Sequence, residues 1–130
     1  YYYKPAADGN GWSTAVLHNA AATAGFAVHY NVQQLPRFVV WKNTQSEEGG
    51  YVTGLEPGIN FPNFRGYERQ QNRLPLVAPG ESYRAEMRWE IADMADGVAQ
   101  QLSRGQELRS YEKPMVNAQA HAGWWPAEDA

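Results

Sequence analysis

From Ser82 to Ile91 the chain alternates without a fault: Tyr83, Ala85, Met87, Trp89 and Ile91 are set against Ser82, Arg84, Glu86, Arg88 and Glu90. A repeat of two puts every second side chain on one face, the signature of a half-buried β-strand and not of a helix. The spacing predicts the first set inward and the second outward. Phe26 to Val32 alternates in the same way, and Trp12 to His18 does so more weakly. Arg37 to Lys42, after Leu35-Pro36, reads as a short strand. So do Tyr51 to Glu56, cut off by Pro57-Gly58, and Leu74 to Val77, closed by Pro79-Gly80.

Between these lie turn-rich stretches. Tyr1 to Gly11 reads as loop or edge, Asn19 to Gly25 as a helical turn or a loop, and Asn43 to Gly50 as a polar loop. Ile59 to Gln71 holds too many Pro, Asn, Arg and Gly residues for regular structure, and a loop of that length is where a site would sit. After Ile91 the character changes. Asp93 can cap a helix running to about Tyr111, with Met94, Val98, Leu102 and Leu108 along one face and Gly97 and Gly105 weakening it. The segment 115–130 carries Trp124-Trp125-Pro126 and is either a loose tail or an arm held by its indoles. The pattern predicts a mainly β, turn-rich fold with a short C-terminal helix, divided into a β portion over 1–92 and a helix and tail over 93–130.

Composition narrows the function. At 130 residues the chain supports one domain, and 11 Lys plus Arg against 14 Asp plus Glu give a net charge of -3, no field for holding nucleic acid or an anionic membrane. No apolar run is long enough to span a bilayer. Cysteine is absent, and His18, His29 and His121 lack the spacing that sets two imidazoles on one metal. No GxSxG turn exposes a serine nucleophile, and no GxGxxG or GxxxxGK loop cradles a phosphate. No cofactor is implied. The compartment is left open, with the cytoplasm favoured. Leu, Ile, Val and Phe number only 22, and 5 Trp and 8 Tyr supply the missing apolar area in a form that also suits a sugar-binding surface.

The chemistry-bearing residues concentrate in Trp41-Lys42-Asn43-Thr44, Gly54 to Asn63, Glu68-Arg69 and Leu76 to Glu81. Glu56 ends a strand of otherwise apolar or small residues, so its carboxylate is expected to face a partly dry cleft, where burial raises a carboxyl pKa toward that of a general base. Trp41 offers a flat face for the C–H side of a pyranose, and Lys42, Asn60, Asn63 and Arg69 offer partners for hydroxyls. The competing interpretation is that Glu56 merely pairs with Arg69 or Lys42 and that Trp41 is core.

In this order, WKNT, then Tyr-Val-Thr-GLEPG-x-N-x-PN, then ER, then L-x-x-PGES, the stretch from about Phe26 to Ile91 resembles the C-terminal portion of the aldose 1-epimerase-like proteins of the galactose mutarotase superfamily, in particular the DUF4432 branch. It departs from true galactose mutarotases at Glu56-Pro57-Gly58 and Asn60-Phe61-Pro62-Asn63. The resemblance implies an antiparallel β-sandwich, the C-terminal part of a large twisted supersandwich, with Glu56 matching the catalytic base. It also implies a histidine acid upstream, which neither His18 nor His29 matches. The chain is accordingly expected to be a C-terminal piece, inactive by itself, of an isomerase acting on a monosaccharide or sugar derivative. A non-catalytic sugar-binding module and a purely structural sandwich half are the alternatives. A truncated sandwich predicts compensation: a partner chain against Phe26 to Val32, the Trp124-Trp125 arm over an open face, or homo-oligomers formed through exposed strand edges.

Overall fold

A computed structural model describes residues 1–110 and 113–126. Along the chain run β1 (Tyr2–Tyr3), β2 (Trp12–His18), β3 (Gly25–Asn31), β4 (Arg37–Lys42), β5 (Thr53–Gly58), α1 (Arg65–Gln70), β6 (Met87–Ala92) and α2 (Ala95–Leu108). They fall into two compact units. One is built from Tyr1–Lys4, Leu35–Arg84 and Met115–Ala130, the other from Pro5–Gln34 and Ala85–Pro114.

The first unit holds a three-stranded antiparallel sheet in the order β1-β4-β5. β4 starts just after Pro36, which cannot donate to a ladder, and ends where the polar loop at Asn43 begins. β5 continues through Pro57, paired with Phe38, two residues beyond the expected break. An edge strand tolerates that, because its outer side needs no donor. Leu35, Phe38, Val39 and Phe61 are buried here. Two expectations fail in this unit. Leu74 to Val77 forms no strand, and Leu76 is almost fully exposed. The long loop after Ile59 contains α1, whose one buried residue is Glu68.

The second unit holds an antiparallel sheet in the order β2-β3-β6. Cross-strand rows such as Val16–Ala27–Glu90 lie on one face, and rows such as Ala15–Val28–Trp89 on the other. α2 packs on the Glu90 face: the Gln101 amide donates to the Glu90 carbonyl at 3.1 Å, and the Arg104 guanidinium reaches the Glu90 carboxylate at 2.7 Å. The buried helix residues are Val98 and Gln101, and Gly97 sits where a Cβ would come within 3.0 Å of the Ala92 methyl. Gly97, which weakens the helix in sequence, thus lets it approach the strand, whereas Gly105 has nothing within 4 Å of where a Cβ would stand. Met94 is the N-cap, with no side-chain cap bond, so Asp93 does not cap, and the expected end near Tyr111 lies outside the described residues.

The strongest sequence signal needs the largest correction. Only Met87–Ala92 of the alternating run is strand, and Trp89 and Ile91, assigned inward, are 70% and 81% exposed. The helix covers the face that carries Glu90, and β6 is an edge. β3, by contrast, is paired on both sides, which leaves no free strand edge for another chain between Phe26 and Val32.

Candidate functional site

In the first unit's sheet, Tyr2 lies opposite Val39 and Val39 opposite Glu56, while Arg37 pairs with Gly58 and Trp41 with Gly54. Successive residues of a strand point to opposite faces, so Tyr2, Arg37, Val39, Trp41 and Glu56 share one face. Glu56 stands in the middle row, diagonal to Arg37 on one side and to Trp41 on the other. The Glu56 side chain folds back over Gly54, so that its Oε1 occupies the place where a residue-54 Cβ would stand. The carboxylate thereby takes the position of the missing side chain directly across the strand pair from Trp41. Gly54→Ala is expected to expel it from that place at little cost to stability, since the displaced atoms are the free end of a flexible chain. A crystal structure with the Glu56 carboxylate unmoved overturns this.

The other residues singled out in sequence are placed differently. Glu56 is exposed, so these residues do not form the partly dry cleft expected around it. Nor does it form an ion pair with Lys42 or Arg69 among the described residues. Lys42 lies on the opposite face, with its ammonium 4.9 Å from the centre of the Tyr1 ring. Trp41 is half exposed, which removes it from the core. The Asn60 amide donates to the neighbouring Phe61 carbonyl at 2.6 Å, and Arg69 is exposed on α1.

Asn63 belongs to a network that sequence reasoning missed. Glu68, fully buried, accepts hydrogen bonds from Arg73 Nε and Nη2 at 2.6 Å each, from Asn63 Nδ2 at 2.7 Å and from the Phe61 N–H at 3.2 Å. Burial pushes the Glu68 carboxyl upward, but the bonds from Arg73, Asn63 and the Phe61 amide outweigh it and hold the group below the ordinary glutamate range. The same bond to Glu68 raises the Arg73 guanidinium. Arg73 also donates to the Gly123 carbonyl at 2.7 Å, Asn63 to the Trp124 carbonyl at 2.9 Å and the Tyr67 hydroxyl to the Trp125 carbonyl at 3.0 Å. The Trp124 ring packs 5.0 Å from Phe61. The segment is therefore an arm anchored at Gly123, Trp124 and Trp125, and the residues after Pro126 lie outside the described residues. Phe61, held by this network, is a platform: Tyr2 stacks on it at 4.5 Å and the Arg37 guanidinium lies 5.2 Å from its ring centre. Arg37 carried a readable signal, since it shares the parity of Trp41 along one strand.

The histidines are engaged locally. His29 Nδ1 is 2.9 Å from the Thr14 hydroxyl and its Nε2 is 3.3 Å from Glu90. His18 bonds the Asn19 carbonyl, and His121 packs on Trp124.

Residues 1–91 match the family model described as a domain of unknown function, DUF4432. The chain belongs to the DUF4432 family. A crystal structure described as that of a putative aldose 1-epimerase from Klebsiella pneumoniae subsp. pneumoniae MGH 78578 is similar to it, with 30% identity and a TM-score of 0.79. The similarity covers 83% of this chain and 28% of that one, so the chain spans less than a third of that relative's length. No curated protein matches. This DUF4432 chain is thus mainly β, with two antiparallel sheets, and stands in a mutarotase-like relationship to the solved protein.

Proposed function

We propose that this DUF4432 chain is the part of an aldose 1-epimerase-like isomerase that carries its general base, Glu56. The observation that carries the proposal is the carboxylate lying over Gly54, across from the exposed Trp41 indole. A pyranose stacked by its C–H face on that indole brings its anomeric end to a proton acceptor. Glu56 takes the proton of the anomeric hydroxyl, and the electrons of that O–H bond form the C1 carbonyl as the bond from C1 to the ring oxygen breaks. An acid protonates the ring oxygen. Rotation about C1–C2 and the reverse steps close the ring as the other anomer. The acid is not assigned to a residue of this chain, since His29 is bound between Thr14 and Glu90. The resemblance expects it upstream.

The exposure of Glu56 favours one second reading, a sugar-binding face on the same scaffold without turnover. Exchange NMR on an equilibrated aldose, run with the full-length protein that contains this chain, distinguishes them. Magnetisation transfer between the α and β anomeric protons, faster with the protein than with its heat-denatured form, is expected for the isomerase. Line broadening without accelerated transfer defeats turnover and leaves binding.

A further inference from the structure

We propose that Arg37 holds an anionic substituent, a carboxylate or a phosphate, on the sugar whose anomeric end faces Glu56. This rests on the reading of the Glu56 face as the sugar site and extends it to the class of sugar.

Three arginines of the described residues have acidic partners: Arg73 with Glu68, Arg88 with Glu86 and Arg104 with Glu90. Arg37 has no carboxylate within ion-pair distance among the described residues, although Glu56 stands diagonal to it on the same face. The reason is visible. Glu56 folds toward Gly54, away from the Arg37–Gly58 row, and the two opposite charges are left apart. The Arg37 Nε is buried with no hydrogen-bond partner, and the guanidinium lies 5.2 Å from the centre of the Phe61 ring. A cation held against an aromatic face, with no acid to neutralise it, is prepared for a planar or tetrahedral oxyanion, which a guanidinium grips through two parallel N–H bonds.

The spacing fits. The carboxylate, folded over Gly54, lies two same-face rows from Arg37, about 13 Å along the strands at ~3.3 Å per residue, a span that a pyranose with its exocyclic group and the long arginine side chain cover together. The intervening row is that of Val39 and the Glu56 backbone, and Val39, apolar and buried, adds no competing polar group. A sugar lying across this row has its anomeric hydroxyl at Glu56, a C–H face toward Trp41 and its charged substituent at Arg37.

The test uses the full-length protein that contains this chain, with D-glucose, D-glucuronate and D-glucose 6-phosphate as probes, affinity measured by calorimetry and anomer exchange by NMR on the same samples. That protein is expected to bind one of the charged sugars at least about tenfold tighter than glucose, the size of one charge-assisted contact. That preference should shrink as salt is raised. Whichever charged sugar is tighter identifies carboxylate or phosphate. Arg37→Gln is expected to remove the preference, and Arg37→Lys, which keeps the charge on a similar stem, to retain part of it. Equal affinity for all three sugars in the unaltered protein overturns the proposal, as does an undiminished preference in Arg37→Gln. Accelerated glucose exchange with no charge preference leaves the epimerase reading standing and removes only the role of Arg37. A charge preference that depends on Arg37, without exchange of any sugar, supports Arg37 and removes the epimerase reading. Absence of binding by all three removes both.

Discussion

In the full-length protein, Glu56→Gln is expected to lower the rate of anomer exchange by about 10²–10⁴-fold, the contribution of a positioned general base. The affinity for sugar should stay within a few-fold. Gln keeps the length and the hydrogen-bonding end of the side chain and removes only the ability to take a proton. The position is exposed, so the fold itself should change by no more than about 0.5 kcal/mol. That combination separates loss of chemistry from loss of structure. An exchange rate for Glu56→Gln equal to that of the unaltered protein defeats the assignment of the base. Gly54→Ala provides the geometric counterpart, because it leaves the carboxylate in the molecule but moves it from its place across from Trp41.

The largest effect on stability is expected at Glu68. Replacing it by Gln leaves Arg73, whose side chain is only 8% exposed, as a buried cation without a counter-charge. Breaking one half of a buried pair destabilises by about 3–5 kcal/mol. Urea unfolding of the two proteins at neutral pH measures the difference, and a midpoint shift near zero overturns it. The pH dependence follows from the same bonds. The folded Glu68 carboxyl lies below its ordinary range, so the unfolded chain takes up a proton before the folded one does. The stabilisation is therefore complete above the ordinary glutamate pKa and is lost as the pH falls through the lowered folded value. The gap between the unaltered protein and Glu68→Gln should narrow on acidification through that window. Because Glu68 also binds the Phe61 amide, and Phe61 supports both Tyr2 and Arg37, the substitution is expected to disturb the sheet face as well as the fold.

The sequence was most legible where a local signal and its tertiary consequence coincide. Arg37–Lys42 is bounded at both ends as expected, because Pro36 and Asn43 act on their own residues. Trp12–His18 and the strand from Gly25 are likewise recovered. Alternation at Met87–Ala92 identifies two faces but not which one a helix will cover, and α2 covers the face of Glu90 rather than that of Trp89. The site shows the same division. The motif around Glu56 was visible because its residues are consecutive, and the pairing with Trp41 follows from strand order. Lys42, next to Trp41 on one strand, faces the other way, since neighbours on a strand cannot share a face. Glu68 was seen only as half of an acidic-basic dipeptide with Arg69. Its partner is Arg73, reached across the end of α1 through Asn72 in a left-handed conformation, and no helical spacing announces that.

The closing arm is gripped almost entirely by its main chain, through the carbonyl oxygens of Gly123, Trp124 and Trp125. Such a clasp is indifferent to most of the lettering it holds. Flanking positions are free to drift over evolutionary time, whereas Gly123, at φ 79°, and the indole resting on Phe61 are the places where drift is checked.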